Sequence, residues 1–172
     1  MRKKFGAKPI TYPQPVFIIA SYDETGKPDA MNAAWGGICG DKEISMCLSA
    51  GHKTVKNILK RKAFTVSMAD AAHVAECDYV GIVSANKEPD KLEKAGFHTV
   101  KAENVDAPLI EEQDSMIMIG EIVNVSADES VLTDGKIDLA KLRPITFDPV
   151  NNAYCVIGEK VGNAFSDGKK IK

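Results

Sequence analysis

The sequence predicts a mainly β fold, α+β by content, in which short strands form a barrel or sandwich and short helices pack around it. Short β-branched runs are separated by turn residues, and the helical segments are inserted rather than alternating with strands, which disfavours a doubly wound α/β fold. The 172 residues are 44% hydrophobic and 27% charged, an ordinary globular composition. We expect a single domain over residues 1–172.

The first strands follow from apolar and β-branched runs. Residues 16–22 predict a strand that ends in the turn signal of residues 23–26, and residues 29–35 predict its return strand. Residues 44–48 predict a third strand, and residues 63–68 predict a further strand that is buried on nearly both faces.

The remaining elements are shorter or more isolated. Residues 55–62 carry apolar positions at helical spacing and predict a helix. Short helices are predicted at residues 71–76, 89–95 and 139–142, and strands at 116–125 and 153–157. The stretch from 69 to 96 is therefore expected to lie over a sheet rather than inside one.

Charge and cysteine content restrict the function classes. Twenty-two basic and 24 acidic residues give a formal charge of −2, which favours neither nucleic acid nor an anionic membrane as partner. No apolar stretch approaches the roughly 18 residues of a membrane span. Cys39, Cys47, Cys77 and Cys155 form no CxxC pair, so we expect buried free thiols and a cytoplasmic location.

A candidate anion site lies at the junction between the third strand and the first helix, where the sequence reads Ser49-Ala50-Gly51-His52-Lys53-Thr54. A helix start offers unpaired N–H groups and positive dipole charge, and Lys53, Ser49 and Thr54 add a charge and two hydroxyl groups, which suits a phosphate. The segment does not match a Walker A loop. The residues alone leave open that Ser49 or Thr54 simply caps a surface helix.

A second candidate site surrounds the single tryptophan, in Asn32-Ala33-Ala34-Trp35-Gly36-Gly37. The small residues leave room for a flat ligand and for close approach of the backbone, and Asn32 offers a paired donor and acceptor. The alternative is that Trp35 only fills the core.

Other chemistry is not predicted. The three histidines share no metal-ligand spacing with each other or with the cysteines, and GxSxG is absent. The basic residues 53–62 are typical of the outer face of an amphipathic helix, because no aromatic residues for base stacking lie among them.

Taken in order, these motifs resemble the flavin reductase-like family of FMN-binding split barrels, and its flavoredoxin branch most closely. The resemblance continues in Cys77-Asp78-Tyr79-Val80-Gly81-Ile82-Val83-Ser84, Asp90-Lys91-Leu92-Glu93-Lys94-Ala95-Gly96, Ile119-Gly120-Glu121-Ile122-Val123, Gly158-Glu159-Lys160-Val161-Gly162 and Phe165-Ser166-Asp167-Gly168-Lys169. It therefore covers nearly the whole chain.

The resemblance implies a Greek-key split β-barrel and a homodimer that holds FMN near the subunit interface. Asn32, Ala33, Ala34 and Trp35 would line the isoalloxazine and ribityl groups, and the phosphate would be held by Ser49, Ala50, His52, Lys53 and Thr54. Lys91 and Phe165 would close the flavin site.

The resemblance also implies an NAD(P)H-dependent flavin reductase or oxidoreductase that uses bound FMN. One alternative is a flavoredoxin-type electron carrier that serves a redox protein partner without direct NAD(P)H turnover. Another is a small-ligand binding module without redox chemistry.

The chain departs from the family pattern between Ile110 and Met116, where the family carries an extra strand. Either that edge strand is lost or the sequence omits a segment. Two further departures are Ser67, where an asparagine is usual, and Ala85-Asn86 in place of a glycine-containing pair.

Overall fold

The structure, a computed structural model, describes residues 7, 11–111 and 127–162, and it is mostly β with a few short helices. The strands are β1 Phe17–Tyr22, β2 Pro28–Ala33, β3 Gly36–Ile38, β4 Ile44–Met46, β5 Thr65–Met68, β6 Thr99–Lys101, β7 Pro108–Ile110, β8 Leu132–Thr133, β9 Lys136–Ile137, β10 Ile145–Asp148 and β11 Ala153–Val156. The helices are α1 Lys53–Arg61, α2 Val74–Ile82, α3 Lys91–Lys94 and α4 Leu139–Leu142, and a 3₁₀ turn spans Glu129–Val131.

The central sheet is antiparallel, with the order β2-β1-β5, and confirms the predicted first hairpin. Its turn is built by Asp23, whose Oδ1 accepts hydrogen bonds from the backbone N–H of Thr25 at 2.8 Å and of Lys27 at 3.0 Å. Gly26 takes the left-handed backbone (φ +87°) that the turn requires. The return strand β2 ends at Ala33, so the prediction that it reaches Trp35 is wrong by two residues.

Side chains of β1 alternate between two cores, because successive residues of a strand point to opposite faces. Ile18 faces a core that includes Val80 of α2 and Leu92 of α3. Ile19 faces a second core that includes Ile44 of β4, with side chains of α1 packed against it. Helices α1 and α2 therefore lie on opposite faces of the sheet, and β2 runs between them.

The remaining strands form two-stranded antiparallel pairs: β3–β4, β6–β7, β8–β9 and β10–β11. Strand β10 is tied to the start of β1, since the backbone N–H of Phe147 donates to the Gln14 carbonyl at 2.8 Å. The sequence did not predict β3, β6, β7, β8, β9 and β10, which have no more than four residues each and little periodicity to detect.

Gly36, which directly follows Trp35, is required by the packing of the backbone. A Cβ on Gly36 would lie 2.8 Å from the carbonyl oxygen of Ser45, so the close backbone approach at this position is to β4.

Helix α2 begins later and extends further than the predicted helix over residues 71–76. Asp70 accepts hydrogen bonds from the backbone N–H groups of Ala72 at 2.8 Å and His73 at 3.0 Å, which holds the alanine-rich segment as a turn before the helix. Helix α4 has the predicted bounds, and α3 lies inside the predicted range 89–95.

The prediction of buried thiols is wrong for three of the four cysteines. Cys77 is buried, whereas Cys39, Cys47 and Cys155 are exposed, and none of the four forms a disulfide within the described residues. Cys39 and Cys47 directly follow strands of the two-stranded β3–β4 pair, and Cys155 lies in the β10–β11 pair. An apolar run is buried only when both faces of its strand are covered, and a two-stranded pair leaves much of its surface open.

Several predictions fall outside the described residues: the strand over 116–125, Phe165, and most of the segment between Ile110 and Met116. None of the helices in the described ranges has the length and apolar character needed to traverse a bilayer.

Candidate functional site

Two adjoining cavities form a groove between β2, the start of α1 and the end of α2. The wide end has a volume of about 300 Å³ and the narrow end about 150 Å³. Both are lined by Met31, His52, Gly81 and Ile82, so the two ends adjoin. The groove therefore joins the two segments that the sequence analysis selected separately.

The wide end is lined by Asn32, Ala33, Ala34 and Trp35. Trp35 is 49% exposed, so it does not act as core filler. Its ring centroid lies 6.0 Å from that of Phe147, which in turn lies 6.0 Å from that of Tyr154. Strands β10 and β11 thus supply an aromatic wall that the sequence analysis missed.

The Asn32 side chain is tied into this wall. Its Nδ2 donates to the carbonyl oxygen of Cys77 at 3.1 Å and to the hydroxyl of Tyr154 at 3.2 Å. The Tyr154 hydroxyl donates to Oδ1 of Asp78 at 2.9 Å. The amide hydrogens of Asn32 are therefore engaged within the protein, and the paired donor and acceptor expected from the sequence are reduced to an acceptor.

Burial, followed by the hydrogen bond to Asp78, raises the pKa of Tyr154 to about 12. The phenol therefore stays protonated at neutral pH and keeps donating to Asp78. This links α2 to β11 across the wide end of the groove.

The narrow end lies at the N-terminus of α1. His52 is the N-cap residue but makes no side-chain capping hydrogen bond, and the first turn contains no acidic residue. Lys53 and Thr54 line this end from α1, and Ser84 lines it from the far side. Uncapped N–H groups, the positive end of the helix dipole and a lysine make an environment that favours an anion.

Thr54 and Lys91 also line the narrow end, but their polar atoms are bound within the protein. The Thr54 hydroxyl donates to Oδ2 of Asp29 at 2.7 Å. The Lys91 ammonium donates to the carbonyl oxygens of Val80 at 3.1 Å and Val83 at 3.0 Å. Burial lowers the pKa of Lys91, an effect opposed by the nearby carboxylate of Asp29. Lys91 is thus part of the wall rather than a side chain that closes the groove from outside.

The other predicted site residues lie in different places relative to the groove. Ser49 lines the wide end rather than the narrow one, and Ala50, exposed in the turn between them, is outside both linings. Phe165 lies beyond the described residues.

Gly81 and Ile82 were missed as site residues, although they belong to a segment that carries the family resemblance. Ile82 is 75% exposed, an unusual position for a large apolar side chain that borders both ends of the groove. A Cβ on Gly81 would lie 2.8 Å from Cβ of Asn32, so a glycine is needed for α2 to approach β2. The predicted helix ends at residue 76, so nothing in the sequence indicates that Gly81 lies within a helix.

A third cavity, of about 660 Å³, adjoins the wide end and shares Ala34, Trp35 and Cys47 with it. Gln14 lines it and donates through Nε2 to the carbonyl oxygen of Ala34 at 2.9 Å. Trp35 therefore stands between two open volumes.

Comparison with known proteins identifies the family and supports the fold. The model of the flavin reductase like domain matches residues 10–144. The fold is similar to that of flavoredoxin of Desulfovibrio vulgaris (Miyazaki F), with 38% identity, a TM-score of 0.91, and coverage of 98% of this chain and 100% of that one. No curated protein matches the chain.

More distant structures share the fold. Flavoredoxin from Methanosarcina acetivorans has 24% identity and a TM-score of 0.85, with full coverage of both chains. Nitrilotriacetate monooxygenase component B from Bacillus cereus has 18% identity and a TM-score of 0.75, covering 95% of this chain and 100% of that one. The predicted split-barrel fold class is confirmed by structures of flavin reductase-like proteins, one of which is described as having a split barrel domain. With the family model matching well over half of its residues, the chain belongs to the flavin reductase-like family.

Proposed function

We propose that the chain binds FMN in the groove and acts as an NAD(P)H-dependent flavin reductase or a related FMN-dependent oxidoreductase. The observation that carries the proposal is that the two cavities adjoin: an apolar, aromatic wide end lies next to an uncapped helix N-terminus at the narrow end. FMN has a flat ring system at one end and a phosphate at the other, so the residues present fit it.

The proposed contacts follow from the linings. Residues 32–35 and Phe147 would hold the ring system in the wide end, where aromatic and small side chains suit a flat ligand. Lys53, His52 and the first-turn N–H groups of α1 would hold the phosphate in the narrow end.

Bound FMN would supply hydride and electron transfer, and the protein supplies binding, orientation and electrostatics. Trp35, which lines the wide end and is 49% exposed, would cover one side of the ring system. The Asn32–Tyr154–Asp78 hydrogen bonds keep the facing wall in place. Lys53 neutralises phosphate charge at the narrow end.

We propose that NAD(P)H binds only transiently, because the sequence carries no fingerprint of a dedicated dinucleotide-binding site. The third cavity supports it, since it opens beside Trp35 and leaves room for a second ligand next to the wide end.

We propose in addition that two copies of the chain form a homodimer whose interface lies near the groove. The resemblance suggests this arrangement, and the exposed Ile82 at the groove edge supports it. Light scattering on the purified protein tests it: a mass of two chains is expected, and a single-chain mass at micromolar concentration contradicts it.

The function is tested by an absorption spectrum, an FMN titration and an NAD(P)H consumption assay on the purified protein. We expect a flavin band or uptake of one FMN per chain, and NAD(P)H oxidation that depends on FMN. A colourless protein that does not take up FMN would overturn the proposal and favour a binding module without redox chemistry.

A second candidate is an electron carrier that receives electrons from a redox protein partner. The 38% identity to a flavoredoxin favours it. In that case the protein binds FMN and is reduced by dithionite, yet shows no NAD(P)H turnover above that of free FMN.

A further inference from the structure

A buried carboxylate lies beneath the narrow end of the groove. Asp29 of β2 is 4% exposed. Its Oδ2 accepts hydrogen bonds from the Thr54 hydroxyl at 2.7 Å and, more weakly, from Nδ2 of Asn57 at 3.4 Å. Thr54 and Asn57 are three residues apart, so they share the inward face of α1. One carboxylate therefore ties the first two turns of α1 to the central sheet.

The charge of this carboxylate is balanced within the protein. The ammonium of Lys91 in α3 lies 3.4 Å from Oδ1 of Asp29, and both side chains are buried. The same ammonium donates to the carbonyl oxygens of Val80 and Val83 at the end of α2. The pair thus joins β2, α1, α2 and α3, the elements that surround the narrow end.

This arrangement affects anion binding in two ways. The first turn of α1 has no side-chain cap, so the contact of Thr54 with Asp29, together with that of Asn57 one turn later, anchors the start of the helix through side chains. Because Lys91 compensates Asp29, the carboxylate can hold the helix without repelling an anion a short distance away.

We propose that Asp29 is a positioning residue that acts through Thr54 and Asn57 to orient the N-terminus of α1, and that this sets the preference of the groove for flavin phosphate over riboflavin. The inference rests on the proposed binding of FMN. It assigns the Thr54 hydroxyl to Asp29 rather than to the phosphate, so the phosphate is bound by the N–H groups that this contact holds in place.

The test compares FMN and riboflavin dissociation constants, measured by flavin fluorescence, for the wild type, Thr54→Val and Thr54→Ser. Thr54→Val keeps the shape of the side chain and removes the hydroxyl donor. We expect about tenfold weaker FMN binding, the order of one hydrogen bond to a charged group, with riboflavin binding changed less than about twofold. Thr54→Ser restores the hydroxyl and should bring FMN binding back to within about threefold of the wild type.

Thr65→Val is the matched control. Thr65 is as buried as Thr54, at 1% exposure, and its hydroxyl donates to the Pro108 carbonyl at 2.6 Å, away from the groove. Its loss should lower the thermal unfolding midpoint without changing the FMN-to-riboflavin ratio. Asn57→Ala removes the weaker contact with Asp29. It should weaken FMN binding relative to riboflavin binding, as Thr54→Val does, but by a smaller factor. If Thr54→Val does not fold, the result for Asn57→Ala tests the inference.

An unchanged FMN-to-riboflavin ratio in both Thr54→Val and Asn57→Ala overturns the inference, and so does an equal change in Thr65→Val. If the wild-type protein binds FMN while the variants give either of these results, only the inference about Asp29 is overturned and the proposed function is not affected. A wild type that binds no FMN overturns the proposed function and this inference with it.

Discussion

Replacing Gly81 with alanine sets two opposing effects against each other. Gly81 lies in α2 and is exposed, so helix propensity alone predicts that alanine stabilises the protein by about 1 kcal/mol. The structure predicts the opposite sign, because the new Cβ would lie 2.8 Å from Cβ of Asn32 and 3.5 Å from its Cγ.

The size of the effect follows from the displacement that is needed. Ordinary contact begins at 3.4 Å, so α2 and Asn32 must separate by several tenths of an ångström. The hydrogen bonds from Asn32 to Cys77 and Tyr154, at 3.1 Å and 3.2 Å, would lengthen towards their limit. Overpacking costs about 1–3 kcal/mol and a lost hydrogen bond about 1 kcal/mol. After the helix-propensity gain, we expect a net loss of about 1–3 kcal/mol.

Thermal unfolding followed by circular dichroism measures this loss. For a chain of this size, it corresponds to a midpoint lowered by about 3–10 °C. Gly158→Ala is the control, since no atom lies within 4 Å of its added Cβ, and its midpoint should stay within about 2 °C of the wild type. The reasoning is refuted if Gly81→Ala unfolds at or above the wild-type temperature and binds FMN with unchanged affinity.

Three further predictions concern the groove. Lys53→Ala should weaken FMN binding about fivefold at low salt and leave riboflavin binding unchanged, whereas the exposed Lys56→Ala should change neither; equal effects of the two variants in a fluorescence titration would contradict the phosphate assignment. Trp35→Ala should weaken FMN and riboflavin binding alike, by about tenfold, because ring stacking does not depend on the phosphate; unchanged affinities would remove Trp35 from the site. Because the folded state raises the pKa of Tyr154 from 10.0 to about 12, its contribution to stability is intact below pH 10 and is lost as the pH rises to 12. Tyr154→Phe should show less of this alkaline decline in the unfolding midpoint, and an identical pH profile would contradict the contact with Asp78.

Local sequence patterns were sufficient to predict elements whose structure depends only on neighbouring residues. The run through Ile18 and Ile19, followed by a turn with Asp23 and Gly26, specified the first hairpin, since alternation and turn chemistry are local properties. The segment from Ser49 to Thr54 indicated a helix start suited to an anion for the same reason. The resemblance to the family then indicated a flavin as the ligand, which no single motif could identify.

Other features depend on contacts between distant parts of the chain. The aromatic wall needs Phe147 and Tyr154 beside Trp35, which requires β10 to dock against the start of β1. The exposure of Cys47 also depends on which strands remain in two-stranded pairs. Periodicity describes the faces of one element, but it does not say which other element covers them.

The sequence by itself determined the fold class, the first hairpin and the two segments that border the groove, because hydrophobic alternation, turn residues and helix starts act over a few neighbours. Only the tertiary structure decided that Thr54 faces Asp29, that Lys91 is buried in the wall and that Gly81 must be glycine. These depend on the direction of a side chain relative to a partner 25 or more positions away, and that direction is set when β2, α1, α2 and α3 pack together.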